Sequence, residues 1–568
     1  MKEQIVLQFG NLANYVGTHF WNAQGLYNED EIDHQVLFGT NSKEEFYPRL
    51  VSVDLKGALG SLKSMNFGKQ NSETKDTWSG KIQRIEKLQD KKNSFLQDLE
   101  NSQFDAYSDL KNYSDNLSNS VKYWSDFNQL YYQKNSLYEI PSYTHGDKTS
   151  AFSSFVQGSE VFFSQYDDII DENLRFFLEG SDNLQGFNVM SDVNNGFSGF
   201  TANFLENLRD EIPKTSIIVF GINPLADVQR KMSQVMIENA NCALAMKYFS
   251  ESANAYIPLY APKAGSFPHI KSKLIKPYHW TSIISSAIET ITLPTRLPSS
   301  QLDLYSMCNL INSSGTTPIS SLSASMPFPL QRNTSKDGTF DKGIALEWTD
   351  VFRKANVKGS IEWLYNLSLE ANYVVKEEFG NLSIFRGLPT TGSKISNQEH
   401  EAHLFDEFLN MFPTPPNCSK GYLSKTSFPI SNTFPQIFDE QKIDENGLLL
   451  KKKDFNYELS SDVDIDFTVK SIPVFGRISS SPSLIKLIRK SLVGLEGIIK
   501  NFRVGGGEGW SSTSDYIKTT RANNYDNFDL VSSGFLFRSF DQGQKGLTKE
   551  DIENHFQDLL DLETKYEF

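Results

Sequence analysis

The chain has 568 residues, enough for several folding units at roughly 100–200 residues each. Its 70 acidic against 55 basic side chains leave a formal charge of −15, which repels a phosphate backbone and argues against nucleic acid as a partner. Three widely spaced cysteines, Cys242, Cys308 and Cys418, make neither a disulfide framework nor a metal-ligand pair and fit a reducing compartment.

The first residues carry neither an apolar signal segment nor an Arg-rich transit peptide. The most apolar run, 217–222, is far below the ~20 residues of a membrane-spanning helix, so any membrane association is expected to be peripheral. Residues 4–9 predict a strand ending at Gly10, and Asn14, Val16, Gly17, Phe20 and Trp21 predict a helix packed on it. A second strand over 50–53 ends at Asp54. Ligands of open α/β sheets sit at this carboxyl edge. Residues 64–118 are dominated by Lys, Glu, Asp, Asn and Ser and predict a polar insertion, an appendage outside the core. From Gly158, the spacing of Phe162, Phe163, Tyr166, Ile169, Ile170, Leu174 and Phe177 predicts one long amphipathic helix closing at Gly180. A strand over 187–190, a glycine-containing turn over 194–199, a helix over 202–208 and an apolar strand over 216–220 follow. Such alternation implies a parallel sheet covered on both faces.

Residues 228–256 read as helix, and Pro258, Pro262, Pro268 and Pro277 mark a change of domain. Strands are expected at 361–367, 373–375, 382–385 and 464–469, whereas 387–460 reads largely as loop. Leu484, Leu487, Ile488, Leu492, Leu495 and Ile499 predict a helix with basic residues interleaved. Thr548 and Asp551 resemble a capping box opening a last helix, with Ile552, Phe556, Leu559 and Leu560 on one stripe.

Several of these blocks resemble one family. Gln8-Phe9-Gly10-Asn11-Leu12-Ala13-Asn14-Tyr15-Val16-Gly17-Thr18-His19-Phe20-Trp21 is similar to the tubulin amino terminus, and 48–55 to its second strand. Gly158-Ser159-Glu160 and Leu184-Gln185-Gly186-Phe187 resemble the helix and strand before tubulin's glycine-rich loop. Gly196-Phe197-Ser198-Gly199 replaces the tubulin glycine run, and with the form of the amino terminus this resembles the Misato family of divergent tubulin-like proteins. The strong resemblance covers 1–60 and 120–225.

It implies an α/β, tubulin-like fold: a parallel Rossmann-type, nucleotide-binding-like sheet over 1–260, an α+β intermediate domain with loop-rich insertions over 261–470, and a C-terminal helical region over 471–568. It also implies a vestigial nucleotide pocket built from Gly10, Asn11, Asn14, Asp54, Gly196, Ser198 and Gly199. A phosphate needs close backbone amides, which glycine permits. Here Asn194, Asn195, Phe197 and Ala13 stand at glycine or threonine positions, and Lys56 replaces an acid near the metal. The hydrolytic loop is reduced to Asp303, which reads rather as a helix-starting acid. Gly505-Gly506-Gly507-Glu508-Gly509 lacks the Gly-Lys-Ser/Thr of a P-loop. His400 and His403 beside Glu399 and Glu401 read as a solvated acidic stretch. No catalytic or metal site is assembled.

The resemblance therefore implies a non-catalytic cytoplasmic protein required for mitochondrial distribution, morphology and inheritance. Its partners would be proteins, the cytosolic chaperonin or tubulin, with peripheral mitochondrial association. The alternative is a polymerising GTPase that keeps GTP. A third reading is a membrane scaffold working through Lys486, Arg489 and Lys490.

Overall fold

The computed structural model describes residues 3–41, 45–60, 62, 92–101, 113–224, 231–271, 276–298, 300, 302–330, 351, 359–388, 398–439, 443–449, 469–504 and 549–566. The first half alternates β1 (Glu3–Phe9), α1 (Asn11–Gln24), β2 (Leu50–Lys56), α2 (Ser94–Asn101), α3 (Ser114–Ser120), β3 (Leu137–Thr144), α4 (Phe155–Ser164), α5 (Arg175–Glu179), β4 (Leu184–Asp192), α6 (Phe197–Glu211), β5 (Ser216–Asn223), α7 (Met232–Ser252) and β6 (Ala255–Tyr260). The second half runs α8 (Pro277–Thr292), α9 (Leu304–Ile311), β7 (Ser321–Ser325), β8 (Ser360–Asn366), β9 (Ala371–Val374), β10 (Gly380–Arg386), α10 (Gln398–Leu409), β11 (Ser419–Ser424), β12 (Val474–Ser480), α11 (Ile485–Val504) and α12 (Lys549–Thr564).

Strands β1 to β6 form one parallel sheet in the order β3-β2-β1-β4-β5-β6, beside a short antiparallel pair of Phe38–Thr40 with Phe46–Pro48. This is the doubly wound order, whose direction of winding reverses between β1 and β4. Every residue of β1 is buried, because helices cover both faces. Ile5, Leu7 and Phe9 pack toward α4, α6 and α7, while Val6 joins the core of α1 and α8. The expected α/β architecture is thereby observed.

The second sheet has the order β9-β8-β7-β12-β10-β11, antiparallel except for the β10–β11 pair. Between the sheets runs α8, buried from Tyr278 to Thr292 except for His279. Its Glu289 accepts from Tyr27 Oη at 2.9 Å and Arg296 Nη2 at 2.9 Å, and pairs with Arg386 of β10. All three charged side chains are inaccessible to solvent.

Several expectations are corrected. The helix expected to run unbroken to Gly180 is interrupted: α4 ends at Ser164, residues 168–174 form a π-helical turn, and α5 follows. The wider turn resets the phase so that Ile169, Ile170, Leu174 and Phe177 all reach the core. The insertion over 64–118 is no mere appendage where it is described, since Phe95, Leu96, Tyr113 and Leu117 lie buried in the α1 core. Within the expected loop, Phe405, Phe408, Leu409 and Phe412 hold helical spacing and bury α10 with its end against Phe475. β11 then extends the sheet parallel to β10.

Val474–Ser480, assigned by sequence to the C-terminal helical region, is instead a central strand of the second sheet. The helical part begins beyond it. Leu484, Leu487, Ile488, Leu492 and Leu495 do bury one stripe, with Ile552 and Leu559 of α12, in the core that holds α7. Tyr566 anchors the end, its hydroxyl accepting from Ile319 N at 2.7 Å and donating to Ile319 O at 2.8 Å. The expected strand at 464–469, Val469 apart, and the glycine run at 505–509 lie outside the described residues.

Candidate functional site

The carboxyl ends of β1 and β4 meet where the winding reverses, and the loops leaving them start α1 and α6. Gly10 makes the turn between β1 and α1 at φ 104°, in the left-handed region where side chains are strained. Its N–H donates to Val53 O at 3.0 Å. A Cβ at Gly10 would sit 2.6 Å from Cγ of Asp192, the last residue of β4.

The Asp192 carboxyl group occupies the amino end of α1. Oδ1 accepts from Ala13 N at 2.8 Å and Oδ2 from Leu12 N at 3.2 Å. These amides are among the orphan donors of a helix start, where the macrodipole also favours negative charge. A third bond, from Asn195 Nδ2 at 3.4 Å, ties the carboxyl to the next loop. Burial pushes Asp192 up to about 7, against the lowering by the Ala13 and Leu12 amides, and the nearby Asp54 raises it further.

Behind it, Asn14 and Asp54 form a second buried set. Asn14 Nδ2 donates to Asp54 Oδ2 at 3.0 Å, as does Trp124 Nε1 at 3.0 Å, while Leu55 N donates to Oδ1 at 2.8 Å. Asn14 Oδ1 accepts from Ser52 Oγ at 2.7 Å. Burial raises Asp54 above the ordinary carboxylate range, opposed by these donors. Each polar group of this set finds a partner inside the protein, which lets two carboxyl groups stay out of water.

The loop after β4 uses its own amides. Gly196 N donates to Phe152 O at 3.2 Å, Phe197 N to Asn195 Oδ1 at 2.9 Å, Ser198 N to Asn195 O at 3.1 Å and Gly199 N to Gly196 O at 3.1 Å. Ser198 Oγ also donates to Asn195 O, at 2.6 Å. The glycines have another reason to be glycine. A Cβ on Gly199 would lie 1.8 Å from Phe155 O, one on Gly196 2.7 Å from the Phe152 ring, and one on Gly158 1.7 Å from Gly196 O. They let α4 and α6 touch backbone to backbone.

Of the residues named from sequence, Gly10, Asn14 and Asp54 are brought together with Asp192. Gly196, Ser198 and Gly199 stand across from them but serve helix packing and loop closure. Asn11 opens α1, and its Oδ1 is buried without a hydrogen-bond partner among the described residues. Asp192, Trp124 and Ser52 were missed. The one available signal for Asp192 was an acid ending a strand directly before Asn194-Asn195-Gly196. In this arrangement the Leu12 and Ala13 amides are taken by Asp192, and those of Gly196, Phe197, Ser198 and Gly199 by the loop and its neighbour Phe152.

Asp303, which the family resemblance set in the place of the hydrolytic loop, is the N-cap of α9: Oδ1 accepts from Ser306 N at 2.9 Å and Ser306 Oγ at 2.6 Å. Arg489 binds Glu563 at 2.6 Å and so ties α11 to α12. Among the described residues no group of His, Cys, Asp and Glu is placed to hold a metal, and no helix is long and apolar enough to cross a membrane.

Residues 2–101 match the Misato Segment II tubulin-like domain and residues 114–297 a tubulin domain. Protein DML1 of Gibberella zeae is 29% identical over 460 residues, covering 78% of this chain and 86% of the relative. Protein misato homolog 1 of Mus musculus is 27% identical over 522 residues, 85% of this chain and 89% of the relative. The Homo sapiens protein of the same name is 25% identical over 544 residues, 85% and 90% of the two chains.

Proposed function

Because the chain belongs to the Misato family of tubulin-like proteins, we propose that it is a non-catalytic member of the tubulin-like class that serves the distribution, morphology and inheritance of mitochondria. It acts from the cytoplasm through protein partners, the cytosolic chaperonin or tubulin, and holds the mitochondrial surface peripherally. The observation that carries the non-catalytic part is the Asp192 carboxyl group bonded to the Ala13 and Leu12 amides. An internal acid stands where a nucleotide-binding relative of this fold would receive a phosphate. The cellular part rests on the family resemblance.

Depletion tests the cellular part. Mitochondria should become misdistributed and unevenly partitioned while bulk import continues, and re-expression of Asp303→Asn should restore them. Asparagine still caps α9 but lacks the charge that trans-acting hydrolysis would need. Unchanged mitochondrial shape on depletion would overturn the cellular role, and failure of a folded Asp303→Asn protein to rescue would favour a polymerising GTPase. The mitochondrial pool should be released by salt or carbonate.

A further inference from the structure

The carboxyl edge of the first sheet carries a second concavity, between α7, α11 and the turn joining β8 to β9. Two cavities of about 250 and about 160 Å³ share Lys490 and Glu370 on their walls. The smaller reaches Asn194, Asn223 and Tyr260, which follow or end β4, β5 and β6, and also meets Glu238. The larger is walled by the second sheet and by the start of α11, where Lys376, Lys486 and Lys490 converge with the hydroxyls of Ser481 and Ser483.

The charges around the larger cavity do not cancel. Its two carboxylates are committed elsewhere: Glu378 is buried against Arg477, whose Nε lies 3.3 Å from Oε1, and Glu370 Oε1 is 3.4 Å from Lys263 Nζ. Among the described residues no carboxylate stands within ion-pair distance of Lys376, Lys486 or Lys490. Lys486 and Lys490 are four apart on α11 and so share one face. That face is opposite the buried Leu484, Ile488 and Leu495 stripe, and Lys490 Nζ rests 4.7 Å from the centre of the Tyr260 ring. Ser368, also on the wall, accepts from Leu322 N at 3.0 Å.

We propose that this cavity binds a compact phosphate-bearing anion, held by Lys376, Lys486 and Lys490 and by the Ser481 and Ser483 hydroxyls. Ammonium groups act on phosphate as point charges, and surrounding hydroxyls supply the directed bonds its oxygens accept. The volume is below the ~300–1,000 Å³ usual for drug-sized ligands, which selects a small ester or a headgroup over a whole nucleotide. Asp192 is not on its wall, so failure of the site leaves the reading of the α1 amino end untouched.

Calorimetric titration of the full chain with pyrophosphate tests the proposal. Wild type and the control Lys470→Gln, an exposed lysine paired with Glu445, should bind saturably. The Lys486→Gln/Lys490→Gln double variant should bind at least about tenfold more weakly at unchanged melting temperature. Soluble inositol trisphosphate and vesicles containing phosphatidylinositol bisphosphate separate the sources: binding of both, sensitive to the same substitutions, assigns a free phosphate ester, and binding of vesicles alone assigns a lipid headgroup. Absence of saturable binding in every arm, or binding that the double variant retains in full, would overturn the proposal.

Discussion

Asp192 and Ala13 lie 179 positions apart, yet Oδ1 of the acid receives the N–H of the alanine at 2.8 Å, so the end of β4 caps the helix that β1 begins. This contact makes a testable link between acidity and stability. Asp192 is raised by burial from 3.8 to about 7 in the folded chain. Between those two values the folded protein binds more protons than the unfolded one, so this group's contribution to stability falls as pH rises through that window. Asp192→Asn removes the titration and keeps one acceptor. Its melting temperature relative to wild type should therefore climb from about pH 5 to about pH 8. A difference that stays flat, or that shrinks with rising pH, would contradict the assigned burial and protonation.

Gly199→Ala should destabilise the fold by roughly 2–3 kcal/mol or more in chemical denaturation, because the new methyl group meets Phe155 O at 1.8 Å and backbone must move. A glycine kept only for phosphate approach would tolerate alanine without that loss. Unchanged stability would therefore return Gly199 to a ligand-binding role.

Glu289→Gln should cost about 3–5 kcal/mol, since Arg296 and Arg386 share this one carboxylate in a fully buried site and would be left uncompensated. Because Glu289 lies on α8 and Arg386 on β10, the loss should appear in the unfolding of both sheets together. Separate transitions, with the first sheet unaffected, would show that the cluster does not couple them.

Local pattern carried much of the architecture. Alternating strands and helices up to Phe220 and the stripes of α11 and α12 were readable because each buries one periodic apolar face. Misreadings came where distant partners decide. Phe95 and Leu96 sit in a polar segment whose composition hides two core positions, and only the α1 face shows where they go. Phe405, Phe408 and Phe412 were helically spaced but lay among prolines and asparagines, and the residues that bury them, such as Phe475, come far later in the chain. Val474–Ser480 mixes Val, Phe and Ile with Gly, Arg and Ser, shows no clean alternation, and takes its place between β7 and β10 from pairing alone.

The candidate site divides the same way. Gly10, Asn14 and Asp54 were legible because they lie in two short segments with a recognisable strand–turn–helix grammar. Asp192 was not, since an acid ending a strand has no fixed meaning until the helix it caps is in place. The glycines Gly196 and Gly199 were recognised but for phosphate approach, whereas the backbone contact with α4 that also requires them involves Gly158 and Phe155, some forty residues earlier.

Guanine nucleotide content and turnover of the purified full-length protein test the central claim most directly. With Asp192 on the α1 amides and Asp303 serving as a cap, the protein should carry no bound nucleotide and should hydrolyse GTP no faster than buffer. Stoichiometric guanine nucleotide, or steady GTP turnover that Asp303→Asn abolishes, would contradict it.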